Sequence, residues 1–400
     1  MRTPHTTIDV NRSLKGLGES FYNFRITLTD MRILQLSSAL PESEYTTEEL
    51  IDTFPCKLPE SVRQNILNLG VSKRSFMNHA SASSRSEKPL SEVGLVDLCV
   101  EACKTVIRKT NIPVKAIGYF IAAYDANPML SPGLSQLLVR KIGFDPYIKH
   151  VNAQGIASTA FPKALQLAED HLAAHPRDNV LTCVSGVSSY WFRNQVRRLK
   201  NMGEISRISR IKDRDRRQME LRKWIATMEY FLFGDGVAAA IVANDGEGLA
   251  VKKIVEVTNV GIKDYLAGYA RLAVLPETFK FGFHSHLSKE IPKLGVKYTG
   301  LALKRLLGKN IKNTIKASKK WAVHTGSQKI LDALAGHHGI ATEKLEESHE
   351  VLREHGNLSG ASLPFILERI VSAGKLSEGD IILMLGYGWG FSAAASLLEA

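Results

Sequence analysis

The sequence is poor in cysteine and contains no cysteine cluster. Its 400 residues include four cysteines, none spaced as C-x-x-C, so the sequence predicts neither a disulfide framework nor a metal site. The first residues lack the apolar stretch of a signal peptide, and no low-complexity tract stands out. These absences favour a globular protein of the reducing cytoplasm without a bound metal.

Long uncharged runs are also scarce. One covers residues 381–398, eighteen residues without a charge, which is near the shortest length that spans a membrane as a helix. Gly386, Gly388 and Gly390 alternate in the middle of this run, and a Ser-Glu-Gly-Asp sequence typical of turns precedes it. The pattern therefore predicts a strand, a tight turn and a second strand, and no membrane span.

Acidic residues are few in two stretches that account for much of the net charge of +12. Residues 193–223 hold twelve Lys or Arg against four Asp or Glu, and residues 297–320 hold eight basic residues and no acidic one. Such stretches attract polyanions, whether nucleic acid, a phosphate-bearing cofactor or an acidic protein. The alternative is a solvated helix face. We interpret residues 193–223 as a surface insertion, partly helical.

The remaining chain alternates between predicted strands and helices. Residues 1–30 are polar and form a predicted extension outside the core. The predicted strands cover residues 31–37, 116–123, 179–185 and 237–243, and the predicted helices residues 45–54, 90–110, 132–142 and 158–173. Near-continuous apolar strands separated by helices indicate an α/β protein with a sheet that is buried on both faces.

The two halves of the chain share a pattern. Residues 155–165 and 357–367 both run from small polar residues to a proline one turn into a helix, and each helix precedes an apolar strand. Such a repeat indicates an internally duplicated core. We place the first half at residues 31–245, with the basic insertion inside it, and the second half at residues 246–400.

Four short segments together resemble one family. Residues 321–332 carry His324 at the end of a predicted strand, and residues 348–362 carry Asn357 in a Gly-Asn-Leu-Ser-Gly-Ala-Ser context. Residues 385–391 form a glycine-rich closing turn, and residues 233–236 read Phe-Gly-Asp-Gly. This set is similar to that of ketosynthase III and type III polyketide synthases over about residues 31–400. The resemblance implies the thiolase fold, a five-layered α-β-α-β-α architecture.

The resemblance also implies roles for His324 and Asn357. In the family, the equivalent pair stabilises the enolate that decarboxylation of a malonyl unit leaves behind. An imidazole N–H and a side-chain amide can both donate to a developing oxyanion, so the residue types suit this chemistry. Taken singly, His324 is also compatible with a hydrogen-bonded core histidine, and Asn357 with a helix cap.

The sequence departs from the family at the nucleophile. The family's cysteine precedes a helix like the one that ends at residue 172, and counting back from that helix by the family's pattern reaches Ser158. A slip of one position would reach Ala157 or Thr159, and neither is a cysteine. A serine needs a general base as it attacks, and His324 would have to be that base. Three interpretations stay open: a serine-using acyltransferase or condensing enzyme, a catalytically silent subunit that binds an acyl ligand or supports a partner, or an engineered Cys-to-Ser variant. Ser158 would also suit an inert helix N-cap.

The oxyanion hole of the family uses backbone N–H groups, so it depends little on whether cysteine or serine occupies the nucleophile position. The resemblance assigns these groups to Ser158 and to the turn at Gly388 and Trp389. Trp389 occupies a position that is usually small or proline. Its indole either narrows the pocket or points away from it.

The resemblance implies a coenzyme A or phosphopantetheine thioester as the substrate, and no permanently bound cofactor. Acyl-CoA and acyl carrier protein are both anionic, so docking is assigned to the insertion at Arg193, Arg197, Arg198 and Lys200. Nucleic acid is the competing partner, but no recognition motif accompanies the charge. The family also implies a homodimer, or a heterodimer with an active partner, joined through the strand at residues 180–185.

Overall fold

The computed structural model describes residues 31–77, 92–125, 131–275 and 280–400, without the side chains of residues 92, 93, 269–275 and 280–285. The predicted extension at residues 1–30 lies outside these ranges. The described strands are β1 (Arg32–Ala39), β2 (Glu44–Thr46), β3 (Lys73–Ser75), β4 (Ile117–Tyr124), β5 (Lys149–Gln154), β6 (Asn179–Gly186), β7 (Gly236–Ala243), β8 (Leu249–Thr258), β9 (Gly268–Leu275), β10 (Lys280–Leu287), β11 (Lys320–Val323), β12 (Ile381–Gly388) and β13 (Ser392–Glu399).

The helices of the same residues alternate with these strands. They are α1 (Thr47–Asp52), α2 (Glu60–Leu67), α3 (Glu92–Thr110), α4 (Leu134–Ile142), α5 (Ala160–Ala174), α6 (Ser189–Val196), α7 (Ile205–Ile208), α8 (Arg214–Leu232), α9 (Ile291–Leu307), α10 (Ile311–Ala317), α11 (Gln328–His338), α12 (Glu346–His355) and α13 (Ser362–Ser372). Helix α1 begins at a capping box, in which Thr46 and Glu49 each accept the other's backbone N–H.

Nine strands form one hydrogen-bonded sheet in the order β11-β12-β13-β8-β1-β7-β6-β4-β5. The sheet consists of two units, because β1 and β8 pair through two residue pairs, Arg32 with Ala250 and Ile33 with Leu249. One unit comes from the first half of the chain and the other from the second. The chain passes between them at residues 244–248, which join β7 to β8.

Three hydrophobic clusters show how the layers stack. The central cluster contains side chains of α5 and α13 packed between the two sheet units. A second cluster lies on the outer face of the first unit under α3 and α4, and a third lies on the outer face of the second unit under α9 and α11. Ile121 and Phe120 on β4 belong to different clusters, as expected for a strand buried on both faces. The predicted five-layered architecture is confirmed.

The internal duplication is visible in the central layer. Each of its helices follows a short 3-10 turn, at Ala157–Thr159 before α5 and at Ser359–Ala361 before α13. Ala157 and Ser359, 202 residues apart, both have positive φ angles, of 45° and 48°. The following strands β6 and β12 start with the same separation. The duplicated core predicted from the sequence is therefore confirmed.

The uncharged C-terminal run forms a hairpin rather than a helix. Strands β12 and β13 pair antiparallel from Ile381 opposite Glu399 to Gly388 opposite Ser392. This confirms the predicted strand, turn and strand. Among the described residues, no helix is both long enough and apolar enough to span a membrane.

The position of β6 corrects one expectation. The predicted dimer strand at residues 180–185 lies inside the sheet, because β6 pairs with β4 on one side and with β7 on the other. A strand with both edges occupied cannot pair with a partner chain, so this prediction is wrong. The outermost strand of this sheet unit is β5.

Candidate active site

Ser158 lies at the base of the central helix α5. It belongs to the 3-10 turn that leads into the helix, and it is 5% exposed. Its Oγ lies 2.8 Å from Nε2 of His324, within hydrogen-bond distance. Backbone N–H groups and the positive end of the helix dipole favour negative charge at this place. The structure thus brings together a hydroxyl and an imidazole that are 166 residues apart in the chain.

His324 follows β11 and is held on several sides. Its backbone N–H donates to the Leu385 carbonyl at 3.0 Å. The ring of Tyr387 stands edge-on to the imidazole, with 5.2 Å between ring centroids, and the Tyr387 hydroxyl donates to the His324 carbonyl at 3.3 Å. Both partners lie on β12, so the second sheet unit fixes the position of this side chain.

The imidazole is neutral. His324 is 3% exposed, and burial lowers its pKa from the ordinary 6.5 to about 3. Its Nδ1 has no hydrogen-bond partner among the described protein atoms. A buried N–H without an acceptor is costly, which favours the tautomer with the hydrogen on Nε2. In that tautomer His324 donates to Ser158 and is a poor base.

This burial predicts a pH dependence of stability. The unfolded chain binds a proton at His324 below about pH 6.5, whereas the folded chain does not do so until about pH 3. The free energy of unfolding should therefore fall as the pH drops below about 6.5. His324→Gln should make this fall less steep, although His338 and His355, with pKa values lowered to about 4, keep part of it. Urea unfolding at pH 7.5 and 5.0 measures how far the free energy of unfolding falls in each protein. An equal fall in the wild-type chain and in His324→Gln would contradict the prediction.

Asn357 lies between α12 and α13, in the second half of the chain. Its backbone N–H donates to the Leu232 carbonyl at 2.9 Å, and its side-chain Oδ1 accepts the Ser359 N–H at 2.8 Å. Because Oδ1 is occupied in this way, the amide NH2 is the end left to donate elsewhere. The adjoining Gly356 carbonyl accepts the hydroxyl of Thr325 at 3.3 Å, so the loops that carry Asn357 and His324 are in contact.

The closing turn lies against the backbone of Ser158. A Cβ at Gly388 would lie 3.1 Å from the Ser158 nitrogen, and one at Gly386 would lie 2.7 Å from the Ser158 oxygen. Strand β12 therefore approaches the 3-10 turn at a distance that leaves no space for side chains here. Trp389 is half-buried, and its indole packs on Gly268, where a Cβ would lie 2.8 Å from Cδ1.

Comparisons with known proteins show which sequences the chain resembles. Residues 314–400 match the family model described as 3-oxoacyl-[acyl-carrier-protein] synthase III C terminal. The 3,5-dihydroxyphenylacetyl-CoA synthase of Amycolatopsis balhimycina is 22% identical, over 92% of each chain. A beta-ketoacyl-[acyl-carrier-protein] synthase III of Natranaerobius thermophilus is 23% identical, over 93% of this chain and 100% of its own.

Solved structures of type III polyketide synthases share the fold of this chain. The 1,3,6,8-tetrahydroxynaphthalene synthase of Streptomyces coelicolor, a bacterial type III polyketide synthase, aligns with a TM-score of 0.75 at 21% identity, over 92% of this chain and 99% of its own. The chain has the thiolase fold, and its sequence is similar to those of ketosynthase III and type III polyketide synthases. That Ser158 takes the place of the cysteine expected in these families stays a prediction.

The basic insertion is more helical than expected. It runs through α6, α7 and α8, and buried side chains of α6 pack against the second half of α8. Arg198 and Lys200 are exposed and Arg197 is half-buried. Arg193 is 7% exposed, so the expectation that it lies on the docking surface is wrong.

The described part of the chain holds no group of three His, Cys, Asp or Glu placed to bind a metal. His171 and His175 are four residues apart at the end of α5, but the first bonds to Asp178 and the second to Lys149.

Sequence reasoning missed Asp125, Ser359 and Tyr387. The carboxylate of Asp125 accepts the Ala157 N–H at 2.9 Å and also the hydroxyl of Ser359. Its position directly after the apolar strand β4 was an available signal, because polar residues at the carboxyl ends of parallel strands gather at one edge of a sheet.

Proposed function

We propose that this chain is a condensing-type acyltransferase that acts on coenzyme A or carrier-protein thioesters. The observation that carries the proposal is the 2.8 Å contact between Ser158 and His324 at the start of α5. The amide of Asn357 is oriented by Ser359 on a loop that contacts the His324 loop. One of the similar proteins is named for a coenzyme A product and another for an acyl carrier protein.

In this proposal Ser158 Oγ attacks the thioester carbonyl. A carbon–oxygen bond forms and the carbon–sulfur bond breaks. The serine proton passes through Nε2 of His324 to the departing thiolate, which requires His324 to adopt the other tautomer, with its hydrogen on Nδ1. Backbone N–H groups of Ser158 and the Gly388–Trp389 turn stabilise the oxyanion. For an extender unit, His324 and Asn357 donate to the thioester oxygen while the carbon–carbon bond to the carboxylate breaks. CO2 leaves, and the electron pair of that bond forms an enolate. The enolate carbon then attacks the acyl-serine ester and forms a new carbon–carbon bond, the carbon–oxygen bond to Ser158 breaks, and the released serine oxygen takes up a proton from water.

One observation favours a second candidate, a silent subunit that binds an acyl ligand or supports an active partner. The unpartnered Nδ1 and the low pKa make His324 a weak base towards Ser158. The described acidic side chains include none that bonds to this nitrogen, although serine nucleophiles usually rely on a base that a third group orients.

The two candidates differ in covalent chemistry. Intact-protein mass spectrometry after mixing with acyl-CoA donors should show an acyl adduct on the wild-type chain and no adduct on Ser158→Ala. A wild-type chain that binds the same donors tightly without any adduct would instead favour the silent subunit.

Docking of the donor is proposed at the exposed part of the basic insertion. Arg198 and Lys200 carry this proposal together with the half-buried Arg197, whereas the buried Arg193 does not. Exposed cations of this kind act on encounter rate and are weakened by salt. An acidic carrier protein or the phosphates of coenzyme A would both be attracted.

We further propose that the chain forms a homodimer and that it is located in the cytoplasm. Strand β5 is the outermost strand of its sheet unit, and Tyr147 just before it is 93% exposed. Outer strands invite pairing with a second chain. All four cysteines are free, as is usual in a reducing compartment.

A further inference from the structure

Asp125 lies between the two duplicated turns of the central layer. It directly follows β4, and one carboxylate oxygen accepts the backbone N–H of Ala157 at 2.9 Å. The other oxygen accepts the hydroxyl of Ser359. One side chain from the first half of the chain is therefore bonded to both halves at once.

Both donors have backbone conformations that need support. Ala157 and Ser359 have φ angles of 45° and 48°, in the left-handed region that residues other than glycine seldom adopt. Each such residue is strained and persists only where its surroundings hold it. Asp125 accepts a hydrogen bond from each.

Each supported residue adjoins a residue of the proposed site. Ala157 precedes Ser158, whose Oγ contacts His324. The N–H of Ser359 holds the Oδ1 of Asn357 at 2.8 Å. A continuous path of bonds thus runs from Asn357 through Ser359 and Asp125 to the turn that carries Ser158.

We propose that Asp125 is a positioning residue that keeps Ser158 and Asn357 in register across the duplicated core. The proposal rests on the proposed function only for the statement that Ser158 and Asn357 take part in catalysis. Burial raises the pKa of Asp125, and the hydrogen bonds from Ser359 and Ala157 oppose that rise. An asparagine can reproduce both contacts, accepting from Ala157 and donating to Ser359, without a charge.

The test uses a thiol as a reporter and needs no thioester substrate. In a Ser158→Cys background, the rate of alkylation by iodoacetamide at pH 8 is followed on the peptide that contains residue 158. Asp125→Ala and Ser359→Ala should each slow this rate about 10-fold, since small displacements of a reacting group are costly. Asp125→Asn should stay within about 3-fold of the parent, and the double alanine variant should be no slower than the slower single variant.

A purely electrostatic role of Asp125 would change the alkylation rate in the opposite direction. Removing a negative charge near the thiol would lower the thiol's pKa and speed alkylation in both Asp125→Ala and Asp125→Asn. That result, or equal rates in all variants, would overturn the proposal. Asp178→Ala removes a carboxylate beyond the far end of α5 and serves as the control, with an unchanged rate expected. Failure of the proposed function would be seen separately. The chain would then not react with thioesters, while the alkylation rates of the variants would still differ as described.

Discussion

His324→Ala and Asn357→Ala are each expected to abolish most release of CO2 from malonyl-CoA, with losses of about 10²- to 10³-fold in kcat, the usual effect of removing one oxyanion donor. The reason is geometric: His324 is neutral and directs Nε2 at Ser158, while Ser359 turns the Asn357 amide so that its NH2 end can donate. Release of labelled CO2 measures the effect.

A matched control separates chemistry from folding. His338 is half-buried, whereas His324 is fully buried, but burial lowers its pKa too, and its Nε2 is bonded to Thr299 at 2.9 Å. His338→Ala should lose some stability and keep its rate. If His324→Ala and His338→Ala released CO2 equally fast, at wild-type rates, the proposed enolate role would be wrong.

Ser158→Cys is expected to form an acyl adduct faster than the wild-type chain, by on the order of 100-fold, because a thiol yields a nucleophilic anion near neutral pH and a serine does not. The start of α5 favours that anion, and the neutral Nε2–H of His324 would donate to it. Stopped reactions with acyl-CoA, read by intact mass, give the two rates.

This gain should depend on His324. In the double variant Ser158→Cys with His324→Ala, the adduct should form more slowly than in Ser158→Cys alone. An adduct rate no higher for cysteine than for serine would mean that position 158 does not meet the thioester carbonyl.

Much of the fold follows from patterns that are local in the sequence. Near-continuous apolar strands such as β4 and β6, separated by helices, identified a sheet buried on both faces, and the prolines at 162 and 364 marked the duplicated helices. These features are set by burial and backbone chemistry within one element. The spacing of glycines at 386, 388 and 390 similarly identified the β12–β13 hairpin.

What local patterns do not encode is which strands become neighbours. The strand at residues 180–185 was expected at the dimer edge, yet β7, about fifty residues later, pairs with it. Arg193 was expected at the surface from composition alone, but packing of α6 against α8 buries it. The Asp125 bridge to Ser359 spans 234 residues and exists only because the two halves stack. The division into halves at residue 245 stays a prediction.

The central claim is that residues 158, 324 and 357 handle an acyl thioester as one site. Its most direct measurement is peptide mapping by tandem mass spectrometry after the wild-type chain has reacted with a panel of acyl-CoA donors. We predict an acyl group on the peptide that contains Ser158 and at that residue. Donors that bind but acylate no residue, or that acylate a different one equally well in Ser158→Ala, would contradict the account.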